Sequence, residues 1–283
     1  MQPSARGLVL DLLSTLRAGS AMPVGALVEA GALFGISENN VRVTVARLLA
    51  SGHVARDERG AYRLGGTSRS IGAHVRTWRD RDRRIRKWTG GWLAVHAGAS
   101  GRSPQRGRDR ALRLFGFAAL RPGLWLRPDN LAQPLDDVRR ELAALGLPPG
   151  DLICALADLD AASDARARRL WDVAALRRTY RDLGAALAAS EARLARLAPG
   201  KAMAESFVLG GRALRQLLLD PLLPDAICPP DERDALLEQM RRYDRLGRLA
   251  WATLLQRFDV PSLRTPVDSR LDAARGQRAG GTR

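Results

Sequence analysis

Residues 31–64 read GALFGISENNVRVTVARLLASGHVARDERGAYRL, and their reading organises the rest of the chain. Gly31–Phe34 closes one helix and Gly35 marks a turn. Ser37 suits the N-cap of a second helix, because its hydroxyl can accept from an otherwise unpaired backbone N–H in the first turn. Val41, Val45, Leu48 and Leu49 recur at helical spacing and predict an apolar stripe. Asn39, Asn40, Val43 and Arg47 occupy the other face, with Arg42 on its flank and Thr44 nearer the core edge. Gly52 ends the helix, and short strands over 53–56 and 61–64 are joined by Asp57, Glu58, Arg59 and Gly60. Helix, turn, helix and an arginine-bearing hairpin is the layout of a winged helix-turn-helix, whose second helix enters a DNA major groove. Asn can bond adenine edges, Arg guanine edges, and Thr or Val methyls the thymine methyl. The competing reading is a solvated polar helix face beside a surface hairpin; the joint pattern favours DNA.

Outward from this stretch, Ser4–Arg17 reads as a helix with Leu8, Leu12 and Leu16 inward, broken at Ala18–Ser20. Pro23 starts the next, with Leu27, Val28 and Leu33 inward. Leu16, Leu27, Val45 and Leu48 are the expected core of residues 1–65. Residues 66–90 form a connector rich in arginine, from Arg69 to Lys87, against only Asp80 and Asp82. It reads either as a basic amphipathic helix or as a solvated linker.

From 91 to 160 the pattern changes to β-α-β-β-α-β: strands over 92–97, 117–120, 124–127 and 151–157, a polar loop over 102–107, and helices over 108–115 and 134–145 with a cap near Gln133. That order is a ferredoxin-like unit. Residues 161–258 read as all helix, one helix or a broken pair over 165–197, then 202–219 and 231–258, with the rigid DPLLP segment at 220–224 between the last two. Residues 259–283 have little to bury and are expected to be disordered. The fold class is therefore α+β and multidomain: winged helix-turn-helix, central ferredoxin-like domain, C-terminal all-α domain.

The chain of 283 residues carries a net charge of +16 and a pI near 11.4, which favours an anionic partner such as nucleic acid. Residues 1–92 hold fifteen Lys and Arg against seven Asp and Glu, so the expected DNA-reading end supplies about half that excess. Cys154 and Cys228 lack metal spacing and fit a reducing cytoplasm. No leader is recognised and no apolar run approaches the ~20 residues of a membrane span, so a soluble, cytoplasmic protein is expected. His53, His74 and His96 have no second ligand at metal spacing; His53 begins the hairpin and His96 lies in a strand, where a core or interface role is expected. Ser190 and Ser206 show no hydrolase triad pattern, and Gly210–Gly211 no phosphate-loop signature. No enzyme, metal or cofactor is expected.

Several segments together resemble the PaaX-like transcriptional regulators, the repressor family of phenylacetate catabolism. They are SARGLVLDLL at 4–13, ALFGISENNVRVTVARLLASG at 32–52, ARDERGAYRL at 55–64, GGWLAVHAG at 90–98, LRLFGFAALRPGLWLRPDNL at 112–131 and LLLDPLLPDAICP at 217–229. The resemblance implies a homodimer on a double-stranded operator, released by an acyl-CoA effector such as phenylacetyl-CoA. On that reading the DNA-binding candidates are Ser37, Asn39, Asn40, Arg42, Thr44 and Arg47 on the reading helix, and Arg56, Arg59 and Arg63 on the wing. Trp171, Tyr180, Arg212 and Arg215 are candidates for lining an effector pocket. The chain departs from the family after the DPLLP box, where many relatives carry a Trp and this one reads PPDERDALLEQM. In the family the middle domain resembles the small nucleases of CRISPR adaptation and serves dimerisation. A nuclease built on that domain is the alternative function; those nucleases place an acid after the first strand, where this chain has Ala97, Gly98 and Ala99, so no cleavage is expected.

Overall fold

The structure, a computed structural model, describes residues 2–16, 20–66, 68, 84–98 and 102–261. These fall into two compact units. One draws on residues 1–72, 188–211 and 241 onward; the other on 73–187 and 212–240.

In the first unit α1 (Ala5–Thr15) starts at Ser4, whose Oγ accepts from the Gly7 amide at 3.1 Å. Then come α2 (Val24–Ala32), α3 (Glu38–Ala50), β1 (Val54–Arg56) and β2 (Tyr62–Leu64). Leu8, Leu12, Leu16, Leu27, Val41, Val45, Leu48 and Val54 are buried in one cluster, which includes the four expected core residues. A Cβ on Gly31 would stand 2.7 Å from Val41 Cγ2, so a glycine there lets α2 and α3 approach. Gly35, at φ +68°, turns the chain between them in a region that favours glycine. Leu49 departs from the expected stripe. Leu48 takes the inward position, and one residue on, about 100° around the helix, Leu49 is 39% exposed. The hairpin gains a third edge that the sequence pattern does not announce: Met22 and Tyr62 exchange two backbone hydrogen bonds of 2.8 Å.

The same unit includes parts of three long helices, α7 (Val173–Leu194), α8 (Pro199–Leu218) and α9 (Asp231–Arg257). Met203, Ala204 and Phe207 of α8 and Trp251 and Leu254 of α9 join the cluster formed by α1–α3. The Phe207 ring lies 5.5 Å from Phe34 and 5.9 Å from Trp251, whose Nε1 donates to the Met203 carbonyl at 3.1 Å. Nearby, Ser190 donates to Glu205 and shares a 2.7 Å hydrogen bond with the Tyr243 hydroxyl, while Arg193 pairs with Glu205 at 2.8 Å. Burial raises the Tyr243 pKa. The helices expected as a C-terminal domain over residues 161–258 contribute to both units. Helical periodicity reports that a face is apolar, not which distant segment covers it.

The second unit holds β3 (Trp92–His96), α4 (Arg102–Leu114), β4 (Ala118–Arg121), β5 (Leu124–Pro128), α5 (Leu135–Ala144) and β6 (Leu152–Leu156). The strand order is β4-β5-β3-β6, with every neighbouring pair antiparallel. Leu93 and Val95 face a cluster with Leu112 and Phe115 of the α4 segment and Val138 and Leu142 of α5. Trp92, Ala94 and Leu126 face the other way, packed with Ala167 of α6 (Ala161–Arg168) and with Trp171. The polar loop expected over 102–107 is helix. Its first turns lack the apolar period by which a helix is recognised, and Arg108 anchors it instead. The Arg108 guanidinium meets Asp151 at 2.6 and 2.8 Å and the Gly98 carbonyl at 3.0 Å.

The broken-pair alternative for 165–197 is the one found. Asp160 caps α6 through the Ser163 amide at 2.9 Å, and Asp172 accepts from Ala175 at 2.8 Å where α7 begins. Pro134 rather than Gln133 is the N-cap of α5, and α8 starts three residues earlier than expected, at Pro199. The DPLLP loop is tied in by Asn130, which donates to the Leu222 carbonyl at 2.7 Å and accepts from Arg127 at 3.0 Å. Burial pushes the Arg127 pKa down to about 9, with Arg84 acting in the same direction and Asp129 opposing, which leaves it charged at neutral pH. His96, expected in a core or interface, ends β3 and is exposed. The proposed basic linker helix lies largely outside the described residues, as do positions 262–283 of the tail.

Candidate nucleic-acid interface

α3 is built to present one face outward. The Ser37 Oγ accepts from the Asn40 amide at 3.3 Å, so this hydroxyl, one of the DNA candidates, is engaged in starting the helix. Val41, Val45 and Leu48 anchor the inner face, leaving Asn39, Asn40, Arg42, Val43, Ala46 and Arg47 exposed. Thirteen residues at ~1.5 Å each give a rod of about 20 Å, a size the major groove admits.

The candidates on this helix are not equivalent. Arg42 is held by Glu38 at 2.7 Å one turn earlier, so its charge is offset in the free protein. An exposed pair of this kind is worth only ~0.3–0.5 kcal/mol, which a bond to a base or phosphate can replace. Thr44 is half-buried, and its hydroxyl donates to Asn40 Oδ1 at 3.4 Å, orienting that amide. Arg47 is exposed, and no ion pair is described for it. Ala46, which the sequence reading does not assign, lies exposed between Val43 and Arg47; its position follows from the same helical period.

Hydrogen bonds centred on Asp57 close the tip of the hairpin. The Asp57 carboxylate accepts from the amides of Arg59 and Ala61 at 3.0 and 2.8 Å, and the Asp57 amide donates to the Ala61 carbonyl at 2.8 Å. Register pairs Arg56 with Tyr62 and Ala55 with Arg63. Arg56, Arg59 and Arg63 are exposed, with no ion pair described for any of them. Such a strip of cations suits phosphate oxygens, which set register without reading sequence. His53 is half-buried and its Nδ1 lies 2.9 Å from the Ser51 hydroxyl.

The four effector candidates lie on three segments of the chain. Trp171 stacks parallel to Trp92 at 6.4 Å in the sheet-face cluster. Tyr180 is buried on α7, and Arg212 and Arg215 are exposed on α8. Among the described residues no group of three or more His, Cys, Asp and Glu is placed to hold a metal ion, and no helix is long and apolar enough to cross a membrane. The carboxylate beside the end of β3, Asp151, is occupied by Arg108, with side chains only 1% and 7% exposed.

Residues 4–68 match the family described as PaaX-like protein, and residues 171–245 match the PaaX-like protein C-terminal domain. The chain is similar to the solved structure of the uncharacterized protein Rv0674 from Mycobacterium tuberculosis, at 25% identity and a TM-score of 0.54, covering 87% of this chain and 98% of that one. No curated protein matches it.

Proposed function

The chain belongs to the PaaX-like family of transcriptional regulators, and from that premise we propose that it is a DNA-binding, ligand-responsive repressor of a catabolic operon. One observation carries the DNA reading: an exposed polar face on α3 and three exposed hairpin arginines stand on one small apolar core. In this reading residues 1–65 are a winged helix-turn-helix. α3 enters the major groove, where Asn39, Asn40, Val43 and Arg47 meet base edges, and Arg56, Arg59 and Arg63 grip the backbone. Residues 91–160 are ferredoxin-like, a reading supported by the antiparallel order β4-β5-β3-β6. They serve to pair two copies, so that two reading helices meet an inverted repeat.

The effector is an acyl-CoA thioester, the ligand class to which the family answers, phenylacetyl-CoA being the type. It acts by binding the dimer geometry that fits the operator less well; without that difference in affinity it could shift nothing. The free thiols Cys154 and Cys228 suit action in the cytoplasm. A nuclease on the central domain has no support: Ala97 and Gly98 offer no carboxylate, and the Asp151 oxygens are taken up by Arg108 and the Gly98 amide.

The test is selection of duplexes from a random pool by the full chain, repeated with a panel of acyl-CoA thioesters. An enriched inverted repeat, released by one thioester, is the expected outcome. No enrichment at low salt would remove the DNA reading; enrichment unaffected by every thioester would remove the effector.

A further inference from the structure

The first unit carries exposed charge that the winged-helix reading does not use. The segment joining α7 to α8 runs beside the helix-turn-helix. At Gly200 a Cβ would stand 3.4 Å from Leu33 Cδ2, and Leu33 is the C-cap of α2. Met203, Ala204 and Phe207 continue that packing into the core, Phe207 reaching Phe34. From Phe34 the chain passes through Gly35 and Ile36 to Ser37, the start of α3. Arg196 and Lys201, on either side of Gly200 and its approach to Leu33, are both exposed. Their neighbour Arg193 is engaged by Glu205, but no ion pair is described for Arg196 or Lys201.

Resting on the DNA reading above, we propose that Arg196 and Lys201 form a second phosphate grip, on the backbone of the same duplex that α3 reads. The hairpin with Arg56, Arg59 and Arg63 follows the C-terminal end of α3, whereas the segment that carries Arg196 and Lys201 packs through Gly200 on Leu33, two residues before the Gly35 turn that leads into its N-terminal end. A duplex seated on α3 has a phosphate strand along each side of the groove. Cations flanking both ends of the reading helix engage both strands, which fixes the angle at which α3 lies in the groove. These two residues fall in the segment matched by the C-terminal family domain, so that domain contributes directly to the DNA-reading surface. The partner's chemistry is that of a polyanion with regularly spaced charge, and both cations act on sequence-neutral oxygens.

The experiment measures binding of the full chain to its selected duplex over a salt series, for wild type, R196A/K201A, R196K/K201R and, as an exposed cation of the second unit, R110A. Removing one cation from a phosphate should lower the slope of log K against log salt by about 1. The double alanine variant should therefore lower the slope by about 2, with base preference unchanged, while the charge-keeping pair and R110A keep the wild-type slope. Far-UV circular dichroism checks that the folds match. A wild-type slope in R196A/K201A overturns the second grip and leaves the reading by α3 standing. Failure of the wild type to bind any duplex overturns both.

Discussion

Trp251 ties the last long helix to the turn that precedes α3, and its replacement by alanine has a calculable consequence. The indole is 7% exposed, packs 5.9 Å from Phe207, and reaches Phe34 through that ring, one residue before Gly35. Removing a buried aromatic side chain costs ~3–5 kcal/mol when the site collapses only in part. Loss of the indole hydrogen bond adds little, because the Met203 carbonyl also accepts from the Ser206 hydroxyl at 3.0 Å. Trp251→Phe keeps a ring in the site and should cost only about 1–2 kcal/mol, mostly from the smaller volume. Against the 5–15 kcal/mol that typically stabilises a domain, the alanine variant forfeits a large share.

Because the chain has two compact units, the destabilisation is best followed locally, by hydrogen exchange of the α3 amides. Exchange from α3 should accelerate about a hundredfold or more, as ~3 kcal/mol implies, while the β3–β6 amides stay protected. DNA affinity should fall with it. If α3 exchange changes by less than about fivefold, packing by Trp251 and Phe207 does not hold that helix in place.

Other outcomes follow from the same structure. Arg47→Ala should cost ~1–3 kcal/mol and relax one base position, whereas Arg59→Ala should weaken all sequences alike and flatten the salt dependence; an unchanged base preference removes Arg47 from the interface, and loss of preference at a single base contradicts the backbone role of Arg59. Asp151→Ala strands the buried Arg108 guanidinium and should destabilise the chain by ~3–5 kcal/mol in urea titrations, while the paired change R108M/D151L recovers most of that stability. A single-variant cost below about 1 kcal/mol would show that the pair is solvated. Hydrogen bonding to Arg177 holds the Glu232 carboxyl below its ordinary value of 4.5. Its contribution to stability is therefore complete above that value and disappears as pH falls through the lowered one, so the gap between wild type and E232Q should close on acidification; a gap independent of pH would contradict this.

Local chemistry accounts for what was legible beforehand. The cap at Ser37, the turn at Gly35 and the stripe Val41–Val45–Leu48 involve neighbours within a turn or two, and the structure places them as their spacing implies. The β-hairpin likewise follows from a short loop between two short runs. Leu49 marks where periodicity stops being informative: an apolar residue beside a stripe reads as part of it, although only one of the two can point inward. The start of α4 marks another such place, since a helix that begins in polar residues carries no periodic signal and depends on a pairing 43 residues away, Arg108 with Asp151.

By itself, then, the chain's order of residues determined α3, its outward polar face, the arginine hairpin and the alternation of strands and helices, because each arises from interactions between near neighbours. Only the tertiary structure decided what covers them. Phe207 and Trp251 close the core under Phe34, Met22 completes the hairpin's edge, and Gly200 comes up against Leu33 at the end of α2. Apolar burial is non-directional: a hydrophobic face states that it must be covered, and any complementary face, however distant along the chain, can satisfy it.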